Sequence, residues 1–352
     1  MRAVGMRAAL ALAVAGGLLA GCSSPGGGSG SGKQGDGSRS QVIGAAEGSA
    51  GPSAAPSALA KGMGADTDED GVFPRTVKHF EGSTAIKARP RKIAVLSTGQ
   101  LDDLLSLGIV PTATTRAGNA GLVPGYLADA FPRHKDRLTG LTDAGTRSAP
   151  NLETLAAAEP DLILANDSLG ELYPKLSKIA PTVITAGNGI NWKRDLLLVG
   201  EAVGKGQRAR RLLDGIAADA REQGQDVQGD PAVSMVRFTP DRTRMFGVSS
   251  FTGSLAVDMG LKRPESQRFT AISEDVGPES IDVADGDWIF YSVQGDPEKT
   301  DAGSVLAGPL WKSMKAVGAG HAVKVDDDPW YLNAGPTAAR LVVRQLAEHL
   351  GR

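Results

Sequence analysis

Short apolar runs alternate with helical stripes along the chain from about residue 71 onward. Residues 93–96 form an apolar run that predicts a buried strand, and residues 109–113 predict a second strand. Between them, leucines recur at the spacing of one helix face and stop at Gly108: Leu101, Leu104, Leu105 and Leu107. A strand, a helix and a strand in this order indicate a parallel sheet whose faces are covered by helices.

The same alternation continues to the end of the chain and is interrupted by one long helical stretch. Residues 192–223 predict this stretch, with a break near 204–206, and its second part would be a rod of roughly 25–30 Å. Further strands are predicted at 161–165, 182–185, 233–238, 288–292 and 322–325, followed by a closing amphipathic helix at 338–350.

The predicted fold class is therefore α/β, with two lobes of mainly parallel sheets joined by one long rigid helix. We place the N-terminal lobe at 71–190, the bridging helical region at 191–226 and the C-terminal lobe at 227–352.

The first 70 residues predict a targeting segment and a tether. Arg2 and Arg7 form a positively charged region before an apolar run at 8–20, which is too short to cross about 30 Å of hydrocarbon as a helix. The run ends in Leu-Ala-Gly before Cys22 and resembles a bacterial lipobox, in which the signal, here 1–21, is removed and the cysteine is acylated. An ordinary secretory signal with a chance cysteine is the alternative.

Residues 22–70 are rich in Gly, Ser, Pro and Ala and predict a flexible linker. Together with the resemblance to a lipobox, this linker leads us to expect a protein on the extracytoplasmic face of the cell membrane, held there by a lipid anchor only.

Composition and motifs exclude several classes of function. The 38 basic and 40 acidic residues leave no basic excess, which argues against a nucleic-acid partner. A single cysteine cannot form an internal disulfide, and the four histidines are not at ligand spacing, so no protein metal site or cofactor is predicted. Hydrolase, nucleotide-binding and zinc-protease motifs are missing, so we predict a binding protein, with a secreted α/β hydrolase as an alternative.

Four stretches carry a resemblance to a known family. Residues 91–96, 101–111, 150–163 and 308–323 resemble the periplasmic binding proteins for ferric siderophores and cobalamin, and the likeness extends from about Gly71 to the end. The resemblance implies two lobes bridged by one helix, a ligand in the cleft between them, and delivery to the permease of an ABC transporter. We expect the protein itself to be a monomer.

The same resemblance implies that one glutamate on each lobe docks onto the permease. The matching positions are Glu153 and Glu279. The alternative is that these acids lie at helix N-termini and stabilise the helix dipole.

Candidate ligand-binding residues come from the ends of the predicted strands, because ligands of open α/β sheets gather beyond the carboxyl ends of the strands. Arginine offers a fork of donors to the oxygen shell of a siderophore, and tryptophan and tyrosine offer flat apolar area. The residues selected are Arg116, Asn166, Arg237, Tyr291, Trp330 and Tyr331, with Trp192 at the start of the bridging region. Structural alternatives are an ion pair for Arg237, a solvated Arg116, and core packing for the aromatic residues.

The ligand favoured by these residues is a ferric siderophore whose iron is already fully coordinated. Haem would need an axial tyrosine or histidine, for which Tyr126 or Tyr331 could serve, and cobalamin is a further alternative. The sequence leaves hydroxamate and catecholate siderophores open, although the more negative catecholates would favour additional cationic groups.

Overall fold

The computed structural model describes residues 55–97, 99–118 and 120–351. The predicted signal segment and the predicted lipid-anchor site Cys22 lie outside these residues. Strands are found at β1 Gly64–Ala65, β2 Arg75–His79, β3 Gly82–Ile86, β4 Ile93–Val95, β5 Ala113–Arg116, β6 Thr142–Thr146, β7 Ala149–Pro150, β8 Leu162–Asn166, β9 Thr182–Thr185, β10 Val233–Thr239, β11 Arg242–Phe246, β12 Ser273–Asp275, β13 Trp288–Val293 and β14 Ala322–Lys324.

Helices connect and cover these strands. The α-helices are α1 Gln100–Ser106, α2 Gly125–Ala130, α3 Lys135–Thr139, α4 Leu152–Ala157, α5 Tyr173–Ile179, α6 Trp192–Ala202, α7 Gly206–Gln225, α8 Phe251–Asp258, α9 Ala302–Ala307, α10 Pro309–Ser313, α11 Lys315–Gly318 and α12 Pro336–Leu350. Short 3-10 turns lie between them, and a π-helical turn spans Asp328–Leu332. Among the described residues, no helix is both long enough and apolar enough to cross a membrane.

The N-terminal lobe is built on a six-stranded sheet in the order β7-β6-β5-β4-β8-β9. All its pairings are parallel except the short β6–β7 pairing. Its central strands β4 and β8 are buried apolar runs, apart from the partly buried Asn166 at the end of β8, as expected for a parallel sheet covered on both faces. The small antiparallel sheet β1-β2-β3 joins this lobe where the Phe80 N–H donates to the Ile184 carbonyl at 3.2 Å.

The C-terminal lobe contains a five-stranded sheet in the order β12-β11-β10-β13-β14. Its pairings are parallel on one side of β10 and antiparallel on the other. The antiparallel half arises because only Pro240 and Asp241 separate β10 from β11, and so short a connection can only form a hairpin. The predicted α/β class with two lobes is confirmed. The second sheet is mixed, whereas the first is mainly parallel.

Helices α6 and α7 connect the two sheets. The chain turns between them at Gly204, whose φ of +68° favours glycine and where a Cβ would lie 2.8 Å from the Phe73 ring. The 20 residues of α7 give a rod of about 30 Å. Its buried positions include Ala209, Leu213 and Ile216, which belong to the predicted apolar stripe.

The two lobes also touch directly where α1 meets the start of α12. The buried carboxylate of Asp102 accepts hydrogen bonds from the N–H groups of Thr337 at 3.0 Å and Ala338 at 3.1 Å. Gly99, with a φ of +92°, brings the backbone before α1 against the Ala334 carbonyl. These contacts hold the carboxyl end of β4 close to the segment that follows β14.

Candidate functional site

A pocket opens at the carboxyl end of the first sheet and is lined from both lobes. The loops after β4 and β5 form one wall, and the segment after β14 forms the other. The space measures about 390 Å³, part of it open to solvent. Its lining residues are Ser97, Gly99, Leu101, Thr114, Thr115, Arg116, Ala117, Ala120, Gly121, Leu122, Pro124, Tyr126, Leu127, Asp328, Leu332 and Asn333.

Arg116, the last residue of β5, lines this pocket as the strand-end rule predicted. Its guanidinium pairs with Asp143 through one nitrogen, and its side chain is 41% exposed. The Nε atom of Arg116 and the hydroxyl of Thr115 are buried without a hydrogen-bond partner among the described residues. Buried polar atoms are nearly always satisfied, so these two indicate a position for water or a ligand.

Tyr126 and Asp328 add polar groups from opposite walls. Burial raises the pKa of the Tyr126 hydroxyl well above its ordinary value, and the nearby Asp102 carboxylate raises it further. Burial also raises the pKa of Asp328, with a further contribution from the neighbouring charges of Asp326 and Asp327. The phenol therefore keeps its proton and remains a possible donor.

Arg237, in β10, lies in the interior of the C-terminal lobe and is absent from the pocket lining. Its Nε and Nη2 donate to the two carboxylate oxygens of Asp327 at 2.7 and 2.6 Å, and only 6% of its side chain is exposed. The Ser292 hydroxyl donates to the same carboxylate at 2.6 Å. This is the structural ion pair that the sequence left open as an alternative.

Trp330 and Tyr331 pack into the C-terminal lobe. Trp330 is fully buried, stacks on Phe290 with ring centres 5.0 Å apart, and donates from its indole nitrogen to Gln345 at 2.6 Å. The Tyr331 hydroxyl donates to the Phe290 carbonyl at 2.8 Å, and burial raises its pKa. The π-helical turn that holds both aromatics also carries Asp328 and Leu332, which do line the pocket.

The remaining predicted ligand residues differ in their distance from the pocket. Asn166 donates to the hydroxyl of Ser97, a lining residue, at 3.2 Å. Trp192 is buried and donates to Ser254 at 3.1 Å. The ring of Tyr291 packs edge-on against Phe238 and Trp311, at 6.2 and 5.4 Å between ring centres.

Sequence reasoning missed Thr115 and Asp328 as pocket residues, and it considered Tyr126 only as a haem ligand. Thr115 precedes Arg116 on the same strand, so the strand-end rule could have selected it. Asp328 ends a run of three aspartates after β14, for which the sequence predicted no role. Tyr126 lies in α2, which follows a glycine-rich loop. Its position therefore depends on the path of that loop.

The two glutamates expected to face a permease are both exposed at the start of helical turns. The side chain of Asn151 caps α4 by accepting hydrogen bonds from the N–H groups of Glu153 and Thr154. The Glu153 side chain is exposed to solvent. Glu279 follows Pro278 in the first turn of a 3-10 helix. Both positions also suit a favourable interaction of the acid with the helix dipole.

A pocket lined from two α/β lobes, which are themselves joined by a helical connection, defines the class of two-lobed solute-binding proteins. Residues 93–329 match the family model described as periplasmic binding protein, and the chain belongs to this family. The resemblance predicted from the sequence is thereby confirmed. The members of this family are substrate-binding proteins of ABC transporters, not enzymes.

Relatives of known name cover most of the chain. The probable siderophore-binding lipoprotein YfiY of Bacillus subtilis (strain 168) is 33% identical over 287 residues, which are 76% of this chain and 85% of that protein. The petrobactin-binding protein YclQ of the same organism is 27% identical over 285 residues, covering 77% and 86%. The crystal structure of Staphylococcus aureus SirA complexed with staphyloferrin B superposes with a TM-score of 0.69 at 27% identity, covering 78% of this chain and 98% of that chain.

Proposed function

We propose that this chain is the solute-binding lipoprotein of an ABC importer, and that it binds a ferric siderophore between its lobes and delivers it to the permease as a monomer. The observation that carries the proposal is the pocket lined from both lobes, in which Thr115 and Arg116 hold buried polar atoms without a hydrogen-bond partner in the part of the chain that the structure describes. The names of the relatives, which include a siderophore-binding lipoprotein and a petrobactin-binding protein, support the same cargo.

The chemistry of the pocket suits a pre-formed iron complex. A ferric siderophore surrounds its iron with oxygen atoms and presents a partly apolar scaffold, so the protein needs donors and apolar area. Arg116 and Tyr126 supply donors, while Leu101, Leu122 and Leu127 supply apolar surface. Since the siderophore fills the coordination sphere of the iron, no side chain has to ligate the metal.

Haem is less well suited to the two tyrosines considered for it. Ligation by tyrosine requires a phenolate oxygen. Burial raises the pKa of both Tyr126 and Tyr331, and the Tyr331 hydroxyl already donates to a backbone carbonyl. Loss of the proton from either hydroxyl is therefore less favourable than for an ordinary tyrosine, which disfavours ligation of haem iron.

Titration of intrinsic fluorescence with a panel of iron chelates, haem and cobalamin tests the cargo. We expect saturable quenching by at least one ferric siderophore with sub-micromolar affinity, which corresponds to roughly −8 kcal/mol. Saturable binding of haem or cobalamin without binding of any ferric siderophore would reject the proposal.

We further propose that Glu153 and Glu279 dock onto the permease. Both are exposed, and they lie on different lobes, as two-point docking requires. The variant with Glu153→Ala and Glu279→Ala should lose siderophore uptake in cells while its purified form keeps its affinity for the cargo. The matched control is Glu171→Ala with Glu298→Ala, which removes one exposed acid from each lobe. Equal uptake by the two double variants would contradict the docking role.

The anchor is proposed at Cys22. Replacement Cys22→Ser should release the protein from the membrane fraction without changing the affinity of the folded part for its cargo. Continued membrane association of the variant would show that another feature of the chain holds it there.

A further inference from the structure

A buried contact between the lobes, which we call the α1–α12 joint, lies beside the pocket. The Asp102 side chain on α1 is fully buried, and its two oxygens accept hydrogen bonds from the N–H groups of Thr337, at 3.0 Å to each oxygen, and Ala338, at 3.1 Å. The Ser106 hydroxyl donates to the same side chain at 3.0 Å and contacts the Thr337 hydroxyl at 3.2 Å. These four residues form the joint, and they connect the N-terminal lobe to the first turn of α12.

Helix α12 receives its N-terminal cap from the other lobe. The first N–H groups of a helix have no partner within the helix itself. The residue before α12 is Gly335, which has no side chain that could accept them. Asp102 therefore does what a capping side chain at the start of the same helix usually does. This arrangement fixes the start of α12 relative to α1.

Two glycines allow the backbones to approach closely at the joint. A Cβ at Gly335 would lie 2.6 Å from the Cβ of Asp102, and a Cβ at Gly99 would lie 2.4 Å from the carbonyl oxygen of Ala334. Gly335 has a φ of −158°, an extended conformation that any residue adopts, so only the close contact requires glycine there. Any larger side chain at Gly335 would push α12 away from α1.

The joint adjoins both walls of the pocket. In the first wall, formed by the loops after β4 and β5, Leu101 lines the pocket and directly precedes Asp102. In the second wall, formed by the segment after β14, Asn333 lines the pocket shortly before Thr337 in the chain. A shift of α12 against α1 would therefore change the separation of the two walls.

Other contacts determine what happens when the joint is lost. The Trp330 indole, in the turn of the second wall, donates to Gln345 on α12 at 2.6 Å, so this wall is tied to α12 at a second point. Lys193 on α6 pairs with Asp258 on α8 at 2.6 Å, and neither residue lines the pocket. Because this pair persists without Asp102, loss of the joint should loosen the walls and leave the lobes connected.

We propose, on the basis of the proposed function, that Asp102 is a positioning residue for cargo binding, which sets the separation of the two walls through the α1–α12 joint before the cargo arrives. Asp102 itself does not line the pocket. A site that is already held in its binding arrangement has less freedom to lose when the ligand binds. If only a fraction of the molecules has that arrangement, the apparent affinity falls in proportion to that fraction.

Distances between spin labels on the two lobes, measured by pulsed electron paramagnetic resonance, test the joint directly. Cys22→Ser removes the single cysteine, and Glu171→Cys with Glu298→Cys places one label on an exposed turn of each lobe, after β8 and after β13. We expect a narrow distance distribution in the unliganded protein, which changes little when cargo is added. Asp102→Ala should broaden the distribution of the unliganded protein, and saturating cargo should narrow it again.

The cargo probes are complexes of desferrioxamine E, enterobactin and citrate. Their Ga³⁺ forms serve for the distances, because Ga³⁺ is diamagnetic and has the same charge as Fe³⁺. Their ferric forms serve for the affinities, measured by fluorescence quenching. For the ferric chelate that the wild type binds most tightly, Asp102→Ala should weaken binding about tenfold or more.

Two further variants perturb the same joint by smaller or different changes. Asp102→Asn keeps one oxygen that can accept the N–H groups of α12, so its effects on distance and affinity should be smaller than those of Asp102→Ala. Gly335→Ala keeps Asp102 and inserts a Cβ into the contact. We expect it also to broaden the distribution or to shift it, even where Asp102→Ala folds poorly.

Asn151→Ala is the matched control. It removes a side chain that caps α4 by accepting two N–H groups, and both partners lie within the N-terminal lobe. It should lower stability as the loss of a helix cap does, while the distance distribution and the affinity remain those of the wild type.

The outcomes separate the inference from the proposed function. Asp102 does not position the walls if Asp102→Ala and Gly335→Ala both keep the wild-type distribution, or if Asn151→Ala broadens it equally. A broadened distribution with unchanged affinity would likewise overturn the role of Asp102 in binding, while the proposed function stands. If no ferric chelate binds the wild type, the proposed function fails, and the role of Asp102 in cargo binding fails with it even where the distances show an intact joint.

Discussion

Arg116 and Arg237 occupy comparable strands of the two lobes and have different surroundings. Arg116 ends β5, has a side chain 41% exposed, and keeps a buried Nε without a hydrogen-bond partner among the residues described. Arg237 lies in β10, has a side chain 6% exposed, and donates hydrogen bonds from both Nε and Nη2 to Asp327. Each forms an ion pair with an aspartate, yet only the first lines the pocket.

The difference extends to the groups around each arginine. Near Arg116 the hydroxyl of Thr115 also lacks a partner within residues 55–97, 99–118 and 120–351, whereas near Arg237 the hydroxyl of Ser292 and the ring of Trp330 both have partners within the lobe. The buried atoms at Arg116 and Thr115 therefore offer hydrogen-bonding capacity beside the pocket, whereas the Arg237 pair with Asp327 is satisfied within the lobe. Arg244, which lies opposite Arg237 on β11, keeps a buried Nε without a partner among the described residues. We infer that ligand recognition depends on the first wall and that stability depends on the second.

The largest expected effect is on stability, from Trp330→Ala. The substitution empties a fully buried site against Phe290 and removes the hydrogen bond to Gln345, so the free energy of unfolding should fall by about 4 kcal/mol. Urea denaturation followed by circular dichroism measures the change. Trp330→Phe keeps most of the ring packing and should cost less than half as much. A loss below about 1 kcal/mol for Trp330→Ala would place this side chain outside the stabilising core.

Arg237→Ala should be the next most destabilising change. It leaves the nearly buried Asp327 carboxylate with Ser292 as its described hydroxyl donor, and loss of one partner from such a pair costs about 3 kcal/mol. The double variant Arg237→Ala with Asp327→Ala should recover part of this loss, because no unpaired charge then remains buried. If the loss of unfolding free energy in the double variant equals the sum of the losses in the two single variants, the pair is not coupled.

These buried networks mark the limit of prediction from the sequence. The alternation of apolar runs and helical stripes depends on neighbouring residues, so the two lobes and the helical connection could be predicted. Asp327 is 90 residues from Arg237, and Gln345 is 15 residues beyond Trp330 in another element. A pattern of local residues does not reveal such distant partners. The local sequence of an aromatic pair after three aspartates is likewise the same whether the rings face a pocket or a core.

The strand-end rule located the wall of the pocket better than it identified the individual side chains. It selected Arg116 and Asn166, of which the first lines the pocket and the second bonds to a lining residue. It also selected Arg237, whose strand neighbours β11 and β13 enclose it, because the rule does not specify which strand ends remain uncovered.

Away from the pocket, the N-terminal lobe also contains a buried polar side chain whose hydrogen-bonding groups have partners, His79. Its titration tests this part of the comparison. The buried ring accepts the Glu81 N–H at Nδ1, 3.2 Å away, and contacts the Thr84 hydroxyl through Nε2 at 2.9 Å. Since Nδ1 acts as an acceptor, the ring is neutral and carries its proton on Nε2. Burial lowers the pKa of His79 to about 4.

In the unfolded chain the histidine has its ordinary pKa near 6.5. Between about pH 6.5 and 4 the unfolded chain therefore binds a proton at His79 and the folded chain does not. The contribution of His79 to stability is present above this window and is lost as the pH falls through it. Between pH 7 and 5 the wild type should lose about 2 kcal/mol more than His79→Gln, as measured by urea denaturation at each pH. Parallel pH profiles for the two proteins would mean that the ring is not held neutral by the fold.

The smallest effect on stability and the clearest effect on binding are expected from Arg116→Ala, the counterpart of the change at Arg237. The ion pair with Asp143 is partly exposed, so its removal should alter the free energy of unfolding by less than about 1 kcal/mol. The affinity for the ferric siderophore should nevertheless fall about tenfold or more, because a charge-assisted donor is removed from the pocket. Arg340→Ala is the matched control, since this arginine has a side chain 48% exposed and pairs with Asp219 on α7, outside the pocket lining. If Arg116→Ala instead destabilised the fold as strongly as Arg237→Ala and left the affinity unchanged, the division between a recognising wall and a stabilising wall would be wrong.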